Sequence, residues 1–193
     1  MTKWITTLSS RSIRKGLIGL LASFTFALGM SPRPAPADIV ECFKDGVLVS
    51  RAYDVSDGHP VSTELDWSGD RYATLRARPT KGPIGPWELY TFCRYSEGWW
   101  TVYSQGAGKY VSVDIRTDSY NGLLRATADG VGSLEQFRLS TGACGSDALS
   151  SIQNVSTGKY VSAEIDWSGD DQGVLRSRSD VAGCSEAFTT GSG

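Results

Sequence analysis

His59 is the only histidine in the 193 residues, so a Ser-His-Asp or Cys-His catalytic site would have to be built on it. It stands beside Pro60 in a turn, where related stretches of the chain carry Lys, and no serine is framed as a nucleophile elbow. Carboxylates recur more suggestively: Glu64, Asp114 and Glu164 are each fifty residues apart, and Glu88, Glu135 and Glu186 follow at similar spacing. Two facing carboxylates can cleave a glycosidic bond. Repeats arranged around an axis would instead hold each set apart. The expected role of both sets is to pair with Arg76, Arg125 and Arg176 inside each repeat, as charge-assisted hydrogen bonds. A hydrolase is therefore the least favoured reading, and a chain without catalytic residues the preferred one.

Two tryptophans carry a different chemistry. Trp67 lies between Asp66 and Asp70, and Trp167 between Asp166 and Asp170. An exposed indole flanked by carboxylates suits a sugar ring: the flat apolar face stacks while the carboxylates accept hydroxyl hydrogen bonds. The competing expectation is an indole folded back over its own hairpin, with Tyr72 as one candidate surface. Trp87, Trp99 and Trp100 fall in strand positions and read as core or barrel-end packing. The aspartates around Trp67 and Trp167 lack the loop length and ligand spacing of a calcium site. No metal and no cofactor are expected.

The elements that must position these residues come from a sequence written three times. Residues 158–170, GKYVSAEIDWSGD, are echoed by GKYVSVDI at 108–115 and by GHPVSTELDWSGD at 58–70. Each copy leads to a Leu-Arg strand (Leu75-Arg76, Leu124-Arg125, Leu175-Arg176) and then to a Glu with an aromatic two residues on (Tyr90, Phe137, Phe188). A fixed internal period is a stronger fold signal than local propensity. Val61, Thr63 and Leu65 alternate with polar residues, as do Val111, Val113 and Ile115, and Val161, Ala163 and Ile165. That period of two predicts half-buried strands. Gly69 can take the positive φ of the turn that follows. The glycines and prolines of 79–86 predict a loop, and no long segment after residue 37 has helical periodicity.

The repeats span about 47–98, 99–147 and 148–193, with four strands each. Three are too few for a propeller, and a solenoid would need polar end caps that neither terminus supplies. Closing the units around an axis removes the open edges. The expectation is an all-β, pseudo-threefold β-trefoil: a six-stranded barrel capped by three hairpins.

Residues 1–37 stand outside the repeats. Lys3, Arg11, Arg14 and Lys15 precede a short apolar run at 16–30, and Ala35-Pro36-Ala37 fits a small-x-small cleavage site. A signal peptide over 1–37 is expected, with an uncleaved anchor as the alternative. This segment holds five basic and no acidic residues, so 38–193 carries 14 Lys and Arg against 21 Asp and Glu, a formal charge of −7. An acidic surface disfavours nucleic acid and anionic membranes. Cys42, Cys93, Cys144 and Cys184 form an even set in a chain read as exported, which predicts two disulfides. Of the three possible pairings Cys42–Cys93 with Cys144–Cys184 is favoured. Their spacing does not suit a metal cluster.

The repeated Gly-Lys-Tyr-Val-Ser-x-Glu, Leu-Arg-x-Arg and Glu-x-Tyr/Phe pattern resembles the fascin-like β-trefoil repeat over about 47–190. His59-Pro60 replaces Lys-Tyr in the first copy, and Asp114 replaces Glu in the second. The Gln-x-Trp signature of ricin-type lectin trefoils is absent. The resemblance implies a binding domain with no catalytic residues; the actin cross-linking of tandem fascin domains transfers poorly to one domain with an export signal. The expectation is a secreted, monomeric binding module for carbohydrate or an extracellular protein, with Asp66, Trp67, Asp166 and Trp167 as the contacts. A protein-interaction module (an inhibitor or an actin-type cross-linker), using the loop 79–86, is the alternative.

Overall fold

Alternating apolar residues need partner strands on both edges, and the chain supplies them by closing on itself. The computed structural model describes residues 37–54, 56–78 and 82–192, the side chain of residue 192 excepted. Apart from Ala37, the expected signal peptide lies outside the described residues, as do residues 79–81 of the expected loop. Twelve strands follow: β1 Ile39–Ser50, β2 His59–Glu64, β3 Thr74–Ala77, β4 Leu89–Tyr95, β5 Trp100–Ser104, β6 Lys109–Val113, β7 Leu124–Ala128, β8 Phe137–Thr141, β9 Ser150–Asn154, β10 Tyr160–Ala163, β11 Leu175–Ser179 and β12 Phe188–Ser192.

Six of these strands make a closed ring. β1 pairs with β4, β4 with β5, β5 with β8, β8 with β9, β9 with β12, and β12 returns to β1, all antiparallel. The other six form the hairpins β2–β3, β6–β7 and β10–β11. These hairpins also touch one another in a cycle. The N–H of Ala77 donates to the carbonyl of Gly173, that of Ala126 to Ala73, and that of Ser177 to Gly122, each at 2.8 Å. A six-stranded barrel capped by three mutually bonded hairpins is a β-trefoil, as the repeat period predicts.

The core is layered by repeat position. Tyr90, Phe137 and Phe188, the aromatics that follow the repeated glutamates, are at most 1% exposed and alternate with Leu48, Val102 and Ile152 across the barrel. Val61, Val111 and Val161 seal the hairpin side. Burying this apolar surface contributes about 25 cal/mol per Å², and it follows from the sequence alternation.

Two expectations about the hairpins need correction. The outward face of β2 and β10 is buried too, since Ser62, Glu64, Ser162 and Glu164 are all at most 5% exposed. In the third repeat the turn preceding the fourth strand packs over that face, as the hydrogen bond from Ser162 to the Glu186 carboxylate shows. Ile115, read as inward-facing, is 57% exposed. β6 ends at Val113, two residues earlier, so Ile115 lies in the connection and no longer follows the strand's alternation.

Both disulfides form in the favoured pairing, Cys42–Cys93 and Cys144–Cys184. The first joins directly opposed residues of β1 and β4. Among the described residues no helix is long and apolar enough to cross a membrane.

Candidate ligand-binding site

The three hairpin tips converge at one end of the barrel, and their local sequences explain how. Strand β2 ends at Glu64 and β3 begins at Thr74. Between them the chain makes a 3-10 turn, Gly69–Arg71, entered through Gly69 at φ +59°. The third repeat does the same with Gly169–Asp171 and Gly169 at φ +64°. Glycine accepts this left-handed backbone without steric penalty. The result places Asp66-Trp67 and Asp166-Trp167 in equivalent positions. In the second repeat, where Trp is missing, Arg116 to Tyr120 occupy the tip.

Each indole is half-buried, and arginine does the burying. The Arg71 guanidinium lies 4.0 Å from the Trp67 ring centroid, and Arg76 lies at 5.6 Å. Arg176 stands 5.1 Å from the Trp167 ring, and Tyr120 meets that ring edge-on at 6.0 Å. Such cation–π contacts are worth about 0.5–1 kcal/mol where water reaches them. The indoles do fold back over their own hairpins, as the competing expectation had it, but onto arginine: Tyr72 is 43% exposed, and a guanidinium of the same hairpin lies over each ring. Asp66 and Asp166 are exposed and make no hydrogen bond or ion pair among the described residues. Each of these two tips therefore offers an exposed carboxylate next to an indole that is partly open to water.

Charges from different repeats bind the tips together. Arg71 of the first tip pairs with Asp171 of the third at 2.8 Å, and the Tyr120 hydroxyl of the second donates to the same Asp171 at 3.0 Å. The Asp171 carboxylate raises the Tyr120 phenol above its ordinary pKa by accepting that bond. Arg116 bridges Asp118 of its own tip and Asp70 of the first, each at 2.8 Å. These contacts were not visible in the spacing. Arg71, Asp171, Tyr120 and Arg116 belong to tips whose sequences differ between repeats, so no repeated pattern marks them.

The arginines of the Leu-Arg strands do more than pair inside a repeat. Arg125 and Arg176 meet Asp114 and Glu164 at 3.0 and 3.4 Å, and Arg76 approaches Glu64 at 4.0 Å, as expected. Their Nε–H groups also cross to the neighbouring repeat. Arg76 donates to the carbonyl of Gln172, Arg125 to Tyr72 and Arg176 to Asn121, at 2.8, 3.0 and 2.9 Å. The partner that grips Glu64 bidentately is Arg78, at 3.0 and 3.2 Å.

Glu88, Glu135 and Glu186 depart from the expected arginine pairing. Their carboxylates accept the backbone N–H of Gly85, Gly132 and Gly183, three residues back, capping the turn before each fourth strand.

The remaining candidates have structural places. His59 Nδ1 hydrogen-bonds the carbonyl of Arg78 at 2.7 Å, and its ring packs on Tyr53. Trp99 is buried, while Trp87 is half-buried and lines a cleft of about 290 Å³ with Pro60, Arg78, Pro83 and Pro86. Among the described residues no group of three or more His, Cys, Asp or Glu could hold a metal ion.

The architecture defines the class as a β-trefoil, and solved structures agree. No protein-family model matches the sequence, and no curated protein matches it. The chain is similar to the designed threefold-symmetric protein ThreeFoil, with a TM-score of 0.57 and 18% identity over 75% of this chain and 96% of that one. It is similar to the Macrolepiota procera ricin B-like lectin solved in complex with lactose, with a TM-score of 0.53 and 16% identity over 75% and 93% of the two chains. It is also similar to part of an exo-β-1,3-galactanase from Clostridium thermocellum, with a TM-score of 0.58 and 19% identity; the match covers 79% of this chain and 31% of the galactanase. At such identities the likeness is one of fold.

Proposed function

We propose that the chain is a secreted, non-catalytic module that binds carbohydrate through its hairpin tips, with Asp66 and Trp67 forming one contact and Asp166 and Trp167 a second. The observation that carries this reading is the repetition, on two equivalent tips, of an exposed carboxylate with no hydrogen bond or ion pair among the described residues beside a half-buried indole. The residual exposure of each ring is what a sugar face would cover, and the carboxylate is placed to accept hydroxyl protons. The crossed charges between tips hold both contacts rigid before any ligand arrives, which lowers the cost of binding. Two sites on one small domain favour a polymeric glycan, because the second contact forms at high effective concentration. A lactose-bound lectin among the similar folds supports a sugar ligand. Two disulfides support an oxidising, extracellular destination, and the repeat pattern supports a fascin-like subtype.

A second reading has one observation in its favour. The cleft of about 290 Å³ around Trp87 and Arg78 is lined by Pro60, Pro83 and Pro86, an apolar surface that would make the chain a protein-interaction module if a peptide segment occupied it.

Retention of the protein on a panel of insoluble polysaccharides tests the first reading. Replacing Trp67 and Trp167 together by Ala, or Asp66 and Asp166 together by Asn, is expected to abolish retention while thermal unfolding remains cooperative. The aspartate pair matters because those side chains make no packing contribution. Unchanged retention in both double variants would falsify the sugar reading.

A further inference from the structure

The end of the barrel away from the hairpins is underfilled on one side. Its outermost layer is built from Phe92, Leu139 and Thr190 of the fourth strands, and Gly46, Trp100 and Ser150 of the first strands. These are equivalent positions in the three repeats, two residues before or after the buried aromatic and aliphatic layer. The first two repeats supply Phe, Leu and Trp to this ring. The third supplies Thr and Ser, and the first strand of the barrel supplies only Gly46. A Cβ on Gly46 would stand 2.8 Å from the Phe92 ring, so Phe92 leans across the space that a side chain there would need.

The shortfall leaves a cavity of about 370 Å³ lined by Phe43, Phe92, Trp100, Leu139, Thr190 and Lys44. That is the size of a small-molecule site. A register shift in β1 between Phe43 and Gly46 lifts Phe43 over the opening. Phe43 is 52% exposed and lies nearly parallel to Trp100, with the ring centroids 6.0 Å apart at 22°. Cys42, beside Phe43, is fixed to β4 by its disulfide to Cys93. The wall is therefore held in place while its aromatic face remains open to water. Lys44 stands at the rim and forms no ion pair among the described residues; the neighbouring Asp45 is engaged by Gln105 at 3.1 Å.

We propose that this barrel mouth is a second binding site, distinct from the hairpin tips, for a small flat aromatic molecule carrying one negative charge. Phe43, Trp100 and Phe92 supply the aromatic walls, and Lys44 supplies the counter-charge. The charge assignment rests on Lys44 being a cation that forms no ion pair among the described residues, at the edge of an otherwise apolar hollow.

Anilinonaphthalene sulfonate, a flat aromatic anion, tests the site by fluorescence titration of the native, disulfide-bonded protein. Saturable one-to-one binding is expected, with the near-ultraviolet dichroism unchanged. Thr190→Phe restores the missing ring of the layer and should weaken binding at least about tenfold by occupying the hollow. Phe43→Ser removes an exposed wall, perturbs folding less, and should weaken binding in the same direction. Lys44→Glu should weaken the sulfonate about fivefold and leave uncharged phenylnaphthylamine within about twofold. Absence of saturable binding, or full binding in both Thr190→Phe and Phe43→Ser, overturns the site. Equal sulfonate affinity in Lys44→Glu overturns the anionic ligand.

Discussion

The carbonyl of Gly173 accepts the N–H of Ala77 at 2.8 Å, and a Cβ on Gly173 would lie 2.1 Å from the carbonyl oxygen of Ala77. The contact is one of three that join the hairpins into a ring. Its equivalents are Gly122 against Ser177 and Ala73 against Ala126. All three acceptors have left-handed backbone, at φ +84°, +86° and +59°. Gly173→Ala is expected to destabilise the fold by about 3 kcal/mol or more, since it adds both a backbone penalty and a collision with main chain. Ala73→Gly, at the equivalent position, relieves the backbone but removes a buried methyl. It should stay within about 1 kcal/mol of neutral. Urea unfolding of the two variants measures the contrast, and equal losses would remove the hairpin ring from the account.

Arg76 holds the Gln172 carbonyl through Nε while its other nitrogens face Glu64 and the carbonyl of Gly169. Lysine carries the charge but not the planar fork. Arg76→Lys should therefore destabilise by about 1–2 kcal/mol, close to the loss in Arg76→Ala. Denaturant midpoints decide it: full rescue by lysine would mean that charge alone matters.

Tyr90 is completely buried in the barrel, and its hydroxyl lies 3.1 Å from Thr63 Oγ1 and 3.3 Å from the Val61 carbonyl. Burial pushes its phenol well above the ordinary value of about 10. The folded state therefore retains a proton that the unfolded chain releases first. This contribution is fully present below pH of about 10. Above that, stability should fall by about 1.4 kcal/mol per pH unit until Tyr90 itself titrates. Tyr90→Phe should remove this share of the alkaline slope, at a cost of about 1–2 kcal/mol near neutral pH for the lost hydrogen bonds. Stability profiles from pH 8 upward compare the two, and parallel profiles would assign the slope to other groups.

Much of the fold was legible because the repeat writes one packing rule three times. Val61, Val111 and Val161 are buried where alternation put them, and Tyr90, Phe137 and Phe188 form one core layer because each follows its glutamate by two residues. Ile115 was misread because alternation holds only while the strand lasts. Glu88, Glu135 and Glu186 were misassigned, while Glu64, Asp114 and Glu164 were not, because a carboxylate can be satisfied by a guanidinium or by a nearby backbone N–H. Glu88 takes the N–H of Gly85, three residues back in the chain.

The candidate site divides along the same line. The sequence alone determined that Trp67 and Trp167 stand on equivalent turns beside aspartates, because Gly69 and Gly169 encode those turns locally. Only the tertiary structure decided that Arg71 and Arg176 cover the rings, that Asp171 ties the three tips together, and that the barrel mouth is hollow beside Thr190. The physical reason is range. Turn geometry and alternation act between neighbours in the chain, whereas ion pairs between tips and a shortfall of side-chain volume exist only once the three repeats meet around an axis.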